Sequence, residues 1–133
     1  MTIRPTILVV DDYPDTLDVW TLSLQGAGFD VVTATDGIEA LATAQAIVPD
    51  LVVLDLELPG RSGYDVATLL RQNPATRHIP LIAATGFSHE AQLARARRAG
   101  FDVIVIKPCD PAELIAHIER LIANAASVQP ATD

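Results

Sequence analysis

The chain has 133 residues, half of them apolar and a fifth charged, which suits one folded domain with its own core and excludes both a two-domain protein and a disordered one. Seventeen acidic against nine basic residues give a net charge of −8, so the balance of charge speaks against nucleic acid as a partner. No apolar run nears the roughly 18 residues of a membrane span, the start lacks a signal-peptide pattern, and the single cysteine, Cys109, fits a reducing cytoplasm.

Apolar, β-rich runs alternate with segments of helical period along the chain. TILVV at 6–10 reads as a strand, and 14–27 as a helix with Leu17, Trp20 and Leu24 on one face. DVVTA at 30–34 is a second strand, followed by an Ala/Leu-rich helix over 37–47. LVVL at 51–54 and a helix over 64–72 form the third unit; LIAA at 81–84 and a helix over 88–99 the fourth; VIVI at 103–106 and a helix over 110–125 the fifth. Asp36 and Asp110 each stand three residues before a glutamate, as helix N-caps do, and Pro111 occupies a first helical position. Ser62 also reads as a cap, and Gly28, Gly60 and Gly100 fall where helices or turns must end. Residues 5–125 are therefore expected to form the domain, and 126–133 a flexible C-terminal tail.

Strands that are apolar on both faces and alternate with helices call for a parallel sheet covered on both sides. Five βα units with right-handed crossovers predict an α/β, doubly wound five-stranded sheet of order 2-1-3-4-5, a flavodoxin-like three-layer sandwich. In that order the functional crevice lies at the carboxyl ends of strands 1 and 3. Asp11 and Asp12 follow strand 1, Asp55 follows strand 3, Thr85 strand 4 and Lys107 strand 5. Three carboxylates in one crevice, with Glu57 near them, repel one another unless a cation joins them. One lysine is too little. A hard divalent ion, Mg²⁺, suits carboxylate, water and phosphate oxygens. An aspartate so placed can act as a nucleophile toward phosphorus, with metal, lysine and hydroxyl neutralising the moving charge.

The segments ILVVDD at 7–12, DGIEAL at 36–41, PDLVVLDLELPGRSGYDVA at 49–67, LIAATG at 81–86 and AGFDVIVIKP at 99–108 together resemble the receiver domain of the two-component response-regulator family. The resemblance implies a phosphorylation-dependent signalling switch, not a metabolic enzyme, acting only in its own phosphorylation and dephosphorylation. Residue by residue, it makes Asp55 the phosphoacceptor, Asp12 a direct metal ligand and Asp11 its neighbour acting through water. It makes the Glu57 backbone carbonyl a further ligand, and it assigns Thr85 and Lys107 to the phosphoryl oxygens. It implies a cis bond between Lys107 and Pro108. The expected partners are a histidine kinase or histidine phosphotransfer protein, then a downstream protein target or a second copy engaged through the helix 4 to helix 5 face. Neither nucleic acid nor membrane is expected as a partner.

The chain departs from the family pattern at Ile104, where many receivers carry an aromatic residue that reports phosphorylation. Switching is then expected through the loop after strand 4 and the surface of helix 4. Phe87 and Glu57 flank the route of water to the phosphoryl group with opposite expected effects on its lifetime. Arg95, Arg97 and Arg98 read either as a partner surface or as a solvated helix face. Trp20 reads as core, Cys109 as a packed, inert thiol, and His78, His89 and His117 as surface residues without metal-ligand spacing. No output domain is expected after residue 125, which leads to the expectation of either a stand-alone receiver or one receiver module cut from a larger hybrid protein. The rivals are a flavin- or nucleotide-binding protein, disfavoured by acidic DDYPD in place of a phosphate loop, a receiver-like domain that is never phosphorylated, and a Mg²⁺-dependent aspartyl-phosphate phosphatase.

Overall fold

A computed structural model describes residues 4–128. Five strands and five helices alternate: β1 Thr6–Val10, α1 Pro14–Gly26, β2 Asp30–Ala34, α2 Gly37–Ile47, β3 Leu51–Asp55, α3 Gly63–Gln72, β4 Leu81–Thr85, α4 Glu90–Ala99, β5 Val103–Ile106 and α5 Pro111–Val128. All strand pairs are parallel and the order is β2-β1-β3-β4-β5, as the alternation predicts.

The period of two along each strand divides the core. Leu8, Val10, Val52, Leu54, Leu81 and Ala83 face one side, where they meet Ala40 and Ala44 of α2, Val66, Ala67 and Leu70 of α3, and Ala96 of α4. Ile7, Val9, Leu51, Val53, Ile82 and Ala84 face the other, against Leu17, Trp20 and Leu24 of α1 and Leu114 and Ile118 of α5. Every residue of β3 and β4 is buried, because both strands are internal to the sheet and covered on both faces. Trp20 is a core residue.

Helix ends follow local chemistry. Asp36 Oδ1 accepts the Glu39 N–H at 2.7 Å, while the Glu39 carboxylate reaches back to the Thr35 N–H at 2.9 Å. Ser62 Oγ caps α3 through the Asp65 N–H. Asp110 Oδ1 accepts from Ala112 N–H at 2.9 Å, not from residue 113. Strands β3 and β4 each run one residue further than the sequence reading, taking in Asp55 and Thr85, and α1, α3 and α5 each have an end displaced by one residue; two boundaries differ by more. Helix α4 starts at Glu90 behind His89, which makes no side-chain cap, so Ser88 stays outside it. Helix α5 continues through 126–128, since Ala and Ser in a running helix offer no stop signal. The remainder of the expected tail, 129–133, lies outside the described residues.

Arg71, at the end of α3, ties the opposite end of the sheet together. Its guanidinium donates to the carbonyls of Gly100, Arg77 and Ile79 and pairs with Asp102 at 3.0 Å. Asp102 in turn accepts the Leu81 N–H at 2.8 Å, joining the starts of β4 and β5.

Candidate functional site

The five polar residues expected at the strand ends meet on one rim. Lys107 Nζ donates to Asp11 Oδ2 at 2.9 Å and to Asp55 Oδ2 at 3.0 Å. Asp11 is fully buried and Asp55 is 4% exposed, whereas Asp12 is exposed. One carboxylate oxygen from each of Asp11, Asp12 and Asp55 lies within 4.8 Å of the others. Three carboxylates against one ammonium leave two formal negative charges, and the donors are all oxygen. That set fits a hard divalent cation.

Backbone amides aim the acids. Tyr13 N–H donates to Asp11 Oδ1 at 2.8 Å, and Glu57 N–H donates to Asp55 Oδ1 at 3.0 Å. Each carboxylate thus spends one oxygen on its own loop and turns the other to Lys107. Gly63 lets the loop after β3 close over Asp55. A Cβ there would stand 2.3 Å from the Asp55 carbonyl oxygen and 2.8 Å from Leu56 Cα. Gly63 N–H also donates to the Leu56 carbonyl at 3.0 Å.

Burial pushes the Asp55 carboxyl above its ordinary value, with Asp11 pushing the same way and Glu57 N–H and Lys107 pulling against it. Glu57 is also raised, by burial first and then by the charge of Asp55. Burial alone would lower Lys107, but its bonds to Asp11 and Asp55 and their charges outweigh that and raise it.

The Glu57 side chain lies against Asp55, which acts on it by charge and by hydrogen bonding, but stands outside the trio of Asp11, Asp12 and Asp55. Its carboxylate accepts from Thr85 Oγ1 at 3.3 Å, and that hydroxyl oxygen accepts the Phe87 N–H at 3.1 Å. Sequence reasoning missed this pair, because nothing in spacing tells which rotamers residues 57 and 85 adopt. Arg95, read from sequence only as part of a basic patch, stands with its guanidinium carbon 4.0 Å over the centroid of the Tyr64 ring, a contact that spacing did not reveal. Ile104 is half-buried against the α2–α3–α4 side of the core. The Lys107–Pro108 bond is cis. Cys109 is half-buried, and burial with Glu113 and Asp110 raises its thiol pKa, which disfavours a reactive thiolate. His78 and His89 are exposed; His117 is half-exposed and pairs with Arg120 at 2.8 Å.

An open parallel sheet with acids just after its first strand and at the end of its third, a hydroxyl at the end of the fourth and a lysine just after the fifth is a doubly wound α/β domain whose ligand site lies at the switch point. Residues 7–119 match the response regulator receiver domain, and the chain belongs to that family, a module of two-component signalling. The DNA-binding response regulator MtrA of Mycolicibacterium smegmatis is 40% identical over 124 residues, covering 92% of this chain and 53% of its own. The chain therefore spans about half the length of the curated relatives it matches. A putative response regulator from Chloroflexus aurantiacus has a similar structure, with a TM-score of 0.86, 31% identity and coverage of 91% of this chain and 99% of that one. The receiver domain of the sensor histidine kinase PA1611 from Pseudomonas aeruginosa, with magnesium coordinated in its active-site cleft, gives a TM-score of 0.85 at 29% identity, with the same two coverages. Net charge speaks against nucleic acid as a partner of this domain, whereas the matched relative MtrA is a DNA-binding response regulator. No helix among the described residues is long and apolar enough to cross a membrane.

Proposed function

We propose that this domain is a phosphorylation switch in which Asp55 accepts a phosphoryl group from a phosphohistidine on a histidine kinase or phosphotransfer protein. The observation that carries this reading is Lys107, fixed between Asp11 and Asp55 beside the third acid, Asp12. Asp12, Asp55 and the Glu57 backbone carbonyl would hold Mg²⁺, with Asp11 acting through water. The bound ion supplies charge neutralisation for the phosphoryl oxygens.

The Asp55 carboxylate attacks phosphorus in line. A P–O bond forms, the P–N bond to the partner's imidazole breaks, and the imidazole leaves with its proton. Lys107 exchanges its carboxylate partners for phosphoryl oxygens, and Thr85 turns its hydroxyl to the same group. These contacts exist in only one of two conformations, so they shift the equilibrium between them. The domain promotes its own phosphorylation and hydrolysis and otherwise works as a switch, in the cytoplasm. Its output passes through the face formed by α4, β5 and α5, to a protein target, a second copy or, as in the DNA-binding relatives, a regulator that acts on DNA.

Incubation with acetyl phosphate and Mg²⁺ followed by intact-mass measurement tests this. One added phosphoryl group in the wild type and none in Asp55→Asn is the expected result. Steady turnover of a generic phosphate ester would point instead to the aspartyl-phosphate phosphatase.

A further inference from the structure

Thr85 is already engaged before any phosphoryl group arrives. Its Oγ1 stands 3.3 Å and 3.5 Å from the two oxygens of Glu57, and Phe87 N–H occupies its acceptor side at 3.1 Å. A hydroxyl has one proton to donate. It cannot serve Glu57 and a phosphoryl oxygen together.

Glu57 faces a cleft of about 540 Å³, lined also by Asp12, Tyr64, Phe87, Gln92 and Arg95. Two of these belong to α4, and both are available. Gln92 Oε1 is buried without a hydrogen-bond partner. Arg95 stacks over Tyr64 and forms no ion pair with Glu57 among the described residues. Helix α4 itself is lightly held: Ala96 is its one buried residue. A helix with so little buried apolar surface moves at small cost.

We propose that Glu57 is a latch. Its carboxylate holds the Thr85 hydroxyl in the resting state, and, once a phosphoryl group on Asp55 takes that hydroxyl, the freed carboxylate pairs with Arg95 and draws on α4. The proposal rests on Asp55 as phosphoacceptor. The driving force is electrostatic. Phosphorylation adds negative charge two residues from Glu57, and Arg95 is the cation lining the same cleft. The exchange gives α4 a contact present in one state only, as a population shift requires. It also supplies a route to the surface that does not use position 104, where the half-buried Ile104 is packed into the core.

Amide NMR spectra of the wild type, Glu57→Ala, Glu57→Gln and Arg95→Ala, each with and without beryllofluoride and magnesium as the phosphoryl stand-in, test the latch. In resting Glu57→Ala, the amides of Thr85, Gly86 and Phe87 should move toward their beryllofluoride positions in the wild type. The active population should rise about twofold, the equivalent of a hydrogen bond at the weak end of the range. Resting Glu57→Gln should resemble the wild type, because its carboxamide oxygen still accepts from Thr85. Both Glu57→Gln and Arg95→Ala should lose the beryllofluoride response of the α4 amides. Resting Glu57→Ala with wild-type shifts at Thr85 and Phe87, or a full α4 response in Arg95→Ala, would overturn the latch while leaving the phosphoacceptor reading intact. A wild type that ignores beryllofluoride would overturn that reading, and the latch with it.

Discussion

Lys107 reaches from the end of β5 to Asp55 at the end of β3, with 3.0 Å between Nζ and Oδ2. The two are 52 residues apart in sequence, and the ammonium also serves Asp11 at 2.9 Å. One cation divided between two buried acids, with Asp12 alongside, leaves the rim short of positive charge.

A divalent ion should therefore stabilise the folded chain by mass action. At tenfold its dissociation constant the gain is about 1.4 kcal/mol, or roughly 4–7 °C in Tm for a domain of this size. Thermal melts with magnesium and with potassium at matched ionic strength measure it, and Asp12→Asn should lose most of the difference. Identical melts for the wild type would show that the cluster takes no ion.

Asp55 sets a pH dependence. Its folded pKa lies above the ordinary 3.8 because burial disfavours the charged form, so the folded state binds this proton more tightly than the unfolded state does. The resulting stabilisation is complete below 3.8 and is lost as pH rises through the raised value. Glu57 acts in the same direction from its ordinary 4.5. The raised pKa of Lys107 stabilises throughout this window and is lost only in strong alkali. Without magnesium, Asp55→Asn should therefore be more stable than the wild type at pH 7, with the advantage shrinking on acidification. Urea midpoints at pH 7, 5 and 4 decide it; a variant less stable at pH 7 would mean that the Lys107 pairing outweighs burial.

Gly63 should tolerate no side chain. An added Cβ meets backbone, the Asp55 carbonyl oxygen at 2.3 Å and Leu56 Cα at 2.8 Å, and backbone cannot rotate aside. Gly63→Ala is expected to cost about 1–3 kcal/mol and to slow phosphorylation of Asp55 by displacing it. Gly26→Ala, with nothing within 4 Å of its added Cβ, should be neutral or slightly stabilising. Equal urea midpoints for the two variants would refute the close approach.

Val48 ends α2 with φ 45° and ψ 71°. That left-handed conformation is costly for a β-branched residue, and Val48 is 40% exposed, so its removal forfeits little burial. Val48→Gly should stabilise by roughly 0.5–1 kcal/mol. A lower urea midpoint than wild type would show that the valine's packing matters more than its backbone.

The reading of the sequence located the strands well because β1, β3 and β4 are buried on both faces. A strand in that position must be apolar throughout, and a short apolar run between turn residues stands out. Helix α4 was harder to bound. With a single buried residue it has almost no apolar stripe to betray its start, and His89 gives no cap signal.

The chain's own residue order determined which groups would gather at the rim, since each ends its strand or directly follows it and parallel strands bring their carboxyl ends together. It also named Asp11, Asp12, Asp55, Thr85 and Lys107. Only the tertiary structure decided how they divide their contacts: that Asp11 and Asp55 are buried and Asp12 is exposed, that Lys107 bridges Asp11 and Asp55, that the Glu57 carboxylate reaches Thr85, and that Arg95 lies on Tyr64. The positions of strands and helices follow from a periodic pattern written locally in the chain. Side-chain direction follows from packing and charge between residues distant in sequence, and no local pattern records it.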